Sequence, residues 1–350
     1  MKKIIAKHYP KRTTLTLTEI QEEVLNFVNE VDGSTYIEEL NYLLGSYENL
    51  ICSSKFQGGY NNFYNVYQDD TKTTINNIKQ CVKYYLKGEI SSSYNSFNLR
   101  WKKLWEGVFA PNTYILEDGF WYKMRKVDKK PFNSRKDLFH VPYEKRGIIG
   151  NNRYSIAGYP CLYLGNTIYT CWEEMRRPKL TEMSAIAFKV IKPLKLLDMR
   201  LKQKIDSDSK EMYNIRLLPY ILASSIKVHE EEANFKPEYI IPQLILHSVI
   251  KSNDYDGVIY TSTRRGIKYD KNDIKISNNL AIPVFSNKKE GYCPKLASYF
   301  KASLPIYFEY EFLQGHINYV PKEVSKTKYS NTVFHSLENI LKDKQFMSIL

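Results

Sequence analysis

The sequence predicts an α+β protein, with a helical N-terminal part followed by a part in which short strands alternate with helices. Residues 1 to about 108 contain segments whose apolar residues recur at three- and four-residue spacing. From about Pro111 onward, short runs rich in β-branched and aromatic residues appear. We therefore predict a helical domain at 1–108, a mixed β-sheet domain at 109–305, and a strand and helix at 306–350 that pack on the sheet domain.

Three segments of the N-terminal part are predicted to be amphipathic helices. The first, TLTEIQEEVLNFVNEV (16–31), begins with threonines that can cap a helix. One face of this helix collects apolar residues: Ile20, Val24, Phe27 and Val28. The segments at 73–90 and 92–108 repeat the pattern. No cluster of catalytic residue types occurs here, so we expect residues 1–108 to regulate or localise the protein without supplying chemistry.

The second part alternates strand-like runs with helices. The runs are GFWYKMRK (119–126), CLYL (161–164), SAIAFKVI (184–191), LKLLDM (194–199), DGVIYTS (256–262) and LAIPVF (280–285). Helical patterns span 209–228 and 237–251. A further strand-like segment, PIYFEYEF (305–312), and a helical one, VFHSLENILKD (333–343), follow. The alternation indicates a sheet with helices packed against it.

Composition limits the classes of function. With 43% hydrophobic and 25% charged residues, the chain is predicted to be globular. The net charge of +13 suits an anionic partner such as nucleic acid, an anionic surface or a phosphate-rich small molecule. The basic residues are spread along the chain, which argues against nucleic-acid binding by a dedicated basic tail.

Cysteine usage and hydropathy indicate the compartment. The five cysteines form no CxxC pair, which favours neither a zinc site nor a disulfide framework, so we expect no metal. Neither a secretory signal nor an apolar run of about 20 residues is visible. We therefore expect a cytoplasmic protein that does not insert into a membrane.

The segment RYSIAGYPCLYLGNTIYTCWEEM (153–175) carries charge at both ends of an apolar centre. The centre predicts a buried strand, and a helix capped by Asn166 or Thr167 is predicted to follow it. In that helix Glu174 can point back towards the mouth of the strand, whereas Glu173 is expected to face solvent. Glu174 and Arg153, at the start of the strand, could flank a pocket for an anionic ligand. They could equally be a solvated helix glutamate and a surface arginine.

These residues resemble the RES domain, named for its Arg, Glu and Ser. The matching positions are Arg153, Gly158, LYL at 162–164 and Glu174. An upstream aromatic–basic strand, FWYKMRK, and a downstream DGVIYTSTRRG, which contains Ser262, complete the pattern in order. The resemblance covers about half of the chain and says little about residues 1–108 or the C-terminal segment.

One position departs from the family pattern. Family members often have Tyr-Arg-x-Arg in the upstream strand, where this chain reads Tyr122-Lys123-Met124-Arg125. Lysine keeps the charge but loses the bidentate geometry of arginine. Lys123, Arg125 or the nearby Arg146 could each supply the missing arginine's role.

The resemblance implies a fold and an activity. RES proteins have a fold related to ADP-ribosyltransferases and break the nicotinamide–ribose bond of NAD. They commonly act as toxins that drain cellular NAD, and several use inorganic phosphate as the acceptor. Many are held inactive by an antitoxin with a helix-turn-helix domain. By resemblance we expect an NAD phosphorylase or NAD glycohydrolase, with NAD as substrate, phosphate as co-substrate and an antitoxin as possible partner.

The residue types suit this chemistry. Nicotinamide leaves as a neutral base, so no general acid is needed, and the ribose C1 gains oxocarbenium character. Glu174 can stabilise that charge or hold the ribose hydroxyls, and Ser262 can orient a hydroxyl or a phosphate. We predict a catalytic set of Arg153, Glu174 and Ser262. The substrate-binding set is predicted to be Lys123, Arg125, His140, Arg146, Tyr154 and Tyr163, with the arginines on phosphates and a tyrosine on the nicotinamide ring.

Other interpretations are kept open. The Arg135-x4-His140 spacing resembles HEPN ribonucleases, but that motif belongs on a helix of an all-helical domain. His140 and Arg146 are therefore interpreted either as lining a pocket or as structural. The arginines of TSTRRG (261–266) are interpreted as solvated. Two further functions stay possible: an ADP-ribosyltransferase acting on a protein or nucleic acid, and a catalytically weak, basic binding module.

Overall fold

The structure, a computed structural model, describes residues 4–9, 13–56, 64–105, 112–201, 208–264, 277–317 and 328–350. Its helices are α1 (Leu17–Glu30), α2 (Tyr36–Ser53), α3 (Tyr64–Leu86), α4 (Ile90–Trp105), α5 (Ile168–Glu174), α6 (Asp208–Ser224), α7 (Ile240–Ser252), α8 (Pro294–Ala297), α9 (Phe308–Leu313) and α10 (Val333–Lys342). Its strands are β1 (Thr13–Leu15), β2 (Ser54–Phe56), β3 (Thr113–Leu116), β4 (Phe120–Lys126), β5 (Cys161–Gly165), β6 (Met183–Val190), β7 (Leu194–Met199), β8 (Gly257–Thr261), β9 (Asn278–Pro283), β10 (Phe300–Ala302) and β11 (Ile306–Tyr307). The α+β class predicted from the sequence is confirmed.

The chain forms two compact units that are discontinuous in sequence. The first comprises 1–113, 151–154 and 199–251, and the second comprises 114–150, 155–198 and 252–350. The predicted domains (1–108, 109–305 and 306–350) follow the order of the chain and stay a prediction. They differ from the units because α6 and α7 pack with the N-terminal helices, a long-range choice that local periodicity does not encode.

The first unit is helical, as predicted for the N-terminal region. Thr16 caps α1 in a capping box with Glu19, and the predicted apolar face is buried, with Ile20, Val24, Phe27 and Val28 at most 2% exposed. Asp70 of α3 pairs with Arg100 of α4 and, at 3.0 Å, with Arg216 of α6. This ion-pair network ties three helices of the unit together.

The second unit is built on a large sheet. Its strand order is β10-β6-β4-β5-β9-β8-β7-β3, and β11 also pairs with β6. The strands predicted at 119–126, 161–164, 184–191, 194–199, 256–262 and 280–285 are confirmed as β4, β5, β6, β7, β8 and β9. No helix among the described residues is long and apolar enough to cross a bilayer.

The register of the sheet decides which side chains share a face. Tyr122 pairs with Gly165, and Gly165 pairs with Asn279, so these three positions point to the same side of the sheet. We call this side the α5 face, because α5 packs there. Lys123, one residue along β4, points to the opposite side, together with its partner Ile186 on β6. We call that side the Phe139 face.

Each face of the sheet buries its own core. The Phe139 face buries apolar residues including Trp121, Leu162, Leu164, Phe188 and Leu280. The α5 face buries apolar residues including Tyr122, Cys171, Ala187, Phe308 and Leu337. Helices and loops therefore cover both sides of the sheet.

One predicted strand is wrong. The segment 305–312 contributes only β11, after which α9 begins at Phe308. Phe308 and Phe312 are spaced for one helix face, and both pack in the core of the α5 face. The alternating aromatic pattern was therefore compatible with a helix as well as with a strand. The helix predicted at 333–343 is confirmed as α10.

Candidate active site

Three polar side chains meet on the α5 face: Glu174, Ser262 and Asn279. They come from the end of α5, the end of β8 and the start of β9. Helix α5 follows β5 directly, and Thr167 caps it by accepting a hydrogen bond from Thr170 N at 2.9 Å. Gly165 permits the tight approach of helix and strand, since a Cβ there would lie 2.8 Å from Cys171 Sγ. Glu174 is the last residue of α5, and Ser262 directly follows β8.

Glu174 is held through one of its two carboxylate oxygens. Ser262 Oγ donates to Glu174 Oε1 at 2.7 Å, and Asn279 Nδ2 donates to the same oxygen at 2.6 Å. Both donors are 4% exposed, whereas the Glu174 side chain keeps 33% of its exposure. Arg264 Nε lies 3.7 Å from the other oxygen, Oε2. The carboxylate is thus held through Oε1 and lies beside a cation at Oε2, while the side chain as a whole stays partly exposed.

Tyr163 lies on the same face of the sheet. It sits two residues from Gly165 on β5 and pairs with Ala281 of β9. Its hydroxyl donates to Ser155 Oγ at 2.9 Å. Of the predicted site residues, Glu174, Ser262 and Tyr163 therefore share one face.

The expectation that Glu173 faces solvent is wrong. Glu173 is 5% exposed, and both of its carboxylate oxygens accept from Arg177 Nε, at 3.0 and 3.1 Å. Arg176 and Arg177 have positive φ values of 66° and 55°, so the chain reverses after α5 and brings Arg177 back over the helix. The adjacent glutamates thus differ in their contacts: Glu173 stabilises the turn after α5, while Glu174 accepts hydrogen bonds from Ser262 and Asn279.

Lys123 and Arg125 lie on the Phe139 face. Lys123 Nζ donates to Phe139 O at 2.7 Å, and Arg125 Nη1 donates to Asp137 O at 2.9 Å. Burial, with a smaller contribution from Arg125, lowers the pKa of Lys123 to about 8. The structure does not bring these two predicted binding residues to the side of the sheet that carries Glu174.

His140 belongs to the core of the Phe139 face. Its Nδ1 bonds to Val141 O at 2.8 Å, and its Nε2 accepts from Cys293 N at 2.9 Å. Burial lowers the pKa of His140 to about 4, so the ring is neutral at physiological pH. Of the two interpretations left open for His140, these contacts favour the structural one.

The two members of the Arg-x4-His motif have separate backbone partners. Arg135 Nε donates to Ala302 O at 2.8 Å, whereas His140 bonds to the backbone of Val141 and Cys293. The segment Arg135–Leu138 is a short 3-10 turn and not part of a long helix. These contacts argue against a HEPN-type ribonuclease site.

Arg146 stacks on an aromatic ring and bonds to an amide. Its guanidinium lies 5.2 Å from the centre of the Tyr143 ring and donates to Asn287 Oδ1. Tyr143 belongs to the core of the Phe139 face. The described contacts therefore place Arg146 apart from the Glu174 group.

Arg153 and Tyr154 belong to the first unit. Arg153 Nη1 donates to Ser224 O at 2.8 Å, and its guanidinium lies 5.2 Å from the centre of the Tyr239 ring. Tyr154 is buried, and burial raises the pKa of its hydroxyl. Their predicted roles stay predictions, and the site described here is that of the second unit.

Sequence reasoning missed two residues of this group. Asn279 stands at the start of an apolar strand, and a polar residue in that place was its only local signal. Arg264 was interpreted as solvated, yet its side chain is only 20% exposed and lies beside Glu174. Within the described parts of the chain, no group of three or more His, Cys, Asp or Glu side chains could hold a metal ion.

Comparison with known families identifies a domain whose residues belong to both units. The family model of the RES domain matches residues 126–285, so the chain contains a RES domain. The matched interval includes Glu174, Ser262, Asn279 and Arg264, but not Lys123 or Arg125. The resemblance inferred from the motifs is confirmed.

The match to a curated relative covers more of the chain than the RES family model does. A Bacillus subtilis (strain 168) protein named "Putative toxin YopC" is 32% identical over 262 residues, which cover 68% of this chain and 58% of the relative. The chain thus spans little more than half of that relative's length. No solved structure gives a significant match.

Proposed function

We propose that the second unit is an NAD-degrading enzyme in which Glu174 acts on the ribose next to nicotinamide. The observation that carries the proposal is the fixed carboxylate of a RES domain, on a partly exposed side chain, with Oε1 held by Ser262 and Asn279. A carboxylate preorganised in this way suits stabilisation of positive charge on a ribose ring, because it needs little reorganisation during the reaction.

The chemistry is glycosidic bond cleavage. The bond between the nicotinamide nitrogen and ribose C1 breaks, and nicotinamide leaves with the electron pair as a neutral base. Positive charge develops at C1 and the ring oxygen, and Glu174 stabilises it. A phosphate oxygen then bonds to C1 and gives ADP-ribose phosphate. With water as acceptor the product is ADP-ribose, and the released proton goes to solvent.

Arg264 supports an anionic acceptor at this site. It is a cation close to Glu174, with Nε 3.7 Å from Oε2. A guanidinium there can hold a phosphate group beside the reacting carbon, either the NAD pyrophosphate or the incoming phosphate. From the sequence, Arg125, Arg146 and Arg153 were the arginines expected to bind phosphate groups. We now propose Arg264 as the arginine that binds the phosphate acceptor.

The biological role proposed is that of a toxin acting in the cytoplasm. The name of the Bacillus subtilis relative supports it, and depletion of NAD would arrest a cell. An antitoxin that blocks the enzyme is the partner expected for such a protein.

The test measures nicotinamide release by the purified full-length chain, with and without added phosphate, and identifies the second product by mass. Phosphate-dependent release with ADP-ribose phosphate as product supports the proposal. Equal rates with ADP-ribose as product would make the protein a glycohydrolase. Transfer of labelled ADP-ribose to added protein or nucleic acid would favour an ADP-ribosyltransferase, and no release at all would favour a binding module.

A further inference from the structure

The C-terminal helix α10 contacts α5, the short helix that ends in Glu174. Phe334 of α10 lies between two aromatic side chains of α5, with ring centres 5.1 Å from both Tyr169 and Trp172. Helix α10 lies outside the interval matched by the RES family model, which ends at residue 285. A segment beyond the matched domain therefore covers the outer side of α5.

A buried carboxylate of α10 bonds to the first residue of α5. Glu338 Oε1 accepts from Ile168 N at 2.8 Å, and the hydroxyl of Tyr329 donates to the same oxygen. Glu338 is 4% exposed. The first backbone N–H groups of a helix have no partner within the helix, and Glu338 supplies one from 170 residues further along the chain.

Helix α5 is too short to hold its own orientation. It has seven residues, and an isolated helix of about two turns is not stable in water. Its direction depends on contacts that include Glu338 at its start, Phe334 on its outer side, and Cys171, whose Sγ lies 3.2 Å from Tyr122 O of β4. The Thr167 cap bonds to Thr170 N and not to Ile168 N, so it does not replace Glu338. We therefore expect the start of the helix to move more easily when the Glu338 contact is lost.

We infer that Glu338 is a positioning residue for Glu174: by fixing the start of α5, it keeps the carboxylate at the other end of the helix in reach of Ser262 and Asn279. This inference rests on the proposed function of Glu174. Ile168 and Glu174 are about 9 Å apart along the helix axis, so a tilt of about 10° moves Glu174 by about 1.5 Å. A shift of that size directed away from Ser262 lengthens the hydrogen bond from 2.7 Å to about 4.2 Å, beyond hydrogen-bond distance, and misplacement by about 1 Å can lower a rate about a hundredfold.

The variants separate positioning from general stability. Glu338→Ala removes the acceptor, whereas Glu338→Gln keeps an amide oxygen that can accept from Ile168 N and from Tyr329. The matched control is Glu311→Ala, because Glu311 of α9 is also a buried carboxylate of the C-terminal segment. It bonds to His316 Nδ1 at 2.8 Å. That contact does not involve α5.

Two measurements decide the inference. We expect Glu338→Ala to lower kcat for nicotinamide release about tenfold or more, with KM within about threefold, and Glu338→Gln to restore kcat to within about threefold. Hydrogen exchange at the amides of 168–175 should become at least about tenfold faster in Glu338→Ala and stay unchanged in Glu311→Ala. Wild-type kcat and exchange in Glu338→Ala would overturn the inference, as would a Glu338→Gln variant as poor as Glu338→Ala.

The exchange measurement stands without NAD chemistry. If the wild-type protein releases no nicotinamide, the proposed function fails, and the exchange rates alone decide whether Glu338 orders α5. Faster exchange confined to α5 supports the positioning role. Exchange that rises equally throughout the second unit would instead make Glu338 an ordinary stabilising residue.

Discussion

The two faces of the sheet in the second unit treat their polar side chains differently. On the α5 face, Glu174 bonds to two side chains, Ser262 and Asn279, and its own side chain stays 33% exposed. On the Phe139 face, Lys123 and His140 bond to backbone groups of neighbouring loops. Lys123 and His140 therefore have the contacts of structural residues. Glu174 differs from them because side chains hold its carboxylate and its own side chain stays partly exposed.

The predicted site residues of the second unit fall into two groups, one on each face of the sheet. Those on the α5 face include the proposed reactive carboxylate, Glu174, which two donors hold through one oxygen. On the Phe139 face, Lys123 and His140 have lowered pKa values because burial disfavours their charged forms. The lowered pKa values therefore lie on the opposite side of the sheet from the proposed reactive carboxylate.

The largest effect is expected on the α5 face at Glu174. Glu174→Gln removes the negative charge and should lower kcat for nicotinamide release on the order of a thousandfold, because the developing charge loses its preorganised partner. Glu173→Gln, one residue away, should retain activity within about threefold and lose only the pair with Arg177. An inactive Glu173→Gln variant together with an active Glu174→Gln variant would contradict the proposed role of Glu174.

His140 on the Phe139 face should affect stability and not chemistry. Its pKa is lowered from 6.5 to about 4 in the folded chain, so the unfolded chain binds the proton more readily. The folded chain holds His140 in its neutral form, so the free energy of unfolding is highest above pH 6.5. It falls by about 3 kcal/mol as the pH decreases towards 4. Chemical denaturation of the wild type and His140→Gln across this range checks it. An equally steep loss in the variant would assign the effect elsewhere.

A variant at Asn279 tests whether both donors are needed to orient the Glu174 carboxylate on the α5 face. Asn279→Ala removes one of the two donors to Glu174 Oε1, and a hydrogen bond to a charged group is worth about 1.5–3 kcal/mol. We expect kcat to fall about tenfold or more, and the melting temperature to fall by several degrees, because the same hydrogen bond also stabilises the fold. A variant with wild-type kcat would mean that Ser262 alone orients the carboxylate.

Lys123 should show the smallest effect. Lys123→Met keeps most of the side-chain volume and removes a buried charge, so activity should stay within about threefold and stability at pH 7 should not fall. Because the pKa of Lys123 is lowered from 10.5 to about 8, wild-type stability rises as the pH increases from 8 to 10.5. The variant should lack this rise. A large loss of activity in Lys123→Met would bring the Phe139 face back into the active site.

Much of the fold could be predicted because local pattern carries it. The strands from 119–126 to 280–285 have compositions typical of strands, and Thr16 and Thr167 cap helices as expected. Their pairing could not be read in the same way. Alternation shows that Lys123 and Arg125 share a face, but only the long-range register shows that Tyr163 and Asn279 lie on the other.

The candidate site was half predictable for the same reason. The motif order pointed to Glu174 and Ser262, which are 88 residues apart and meet at 2.7 Å. The burial of Glu173 was missed, because the reversal at Arg176 and Arg177 follows the helix and is not visible in its periodicity. The assignment of Arg153 to the helical unit depends on α6 and on Tyr239, which are distant in sequence.

The most direct test of the account is to find which face of the sheet binds NAD. Hydrogen exchange of the full-length Glu174→Gln variant, which should bind NAD without consuming it, is measured with and without NAD. We predict that NAD slows exchange in peptides covering β5 with α5, the end of β8 and the start of β9. Slower exchange confined to β4 and residues 135–141, on the Phe139 face, would contradict the central claim.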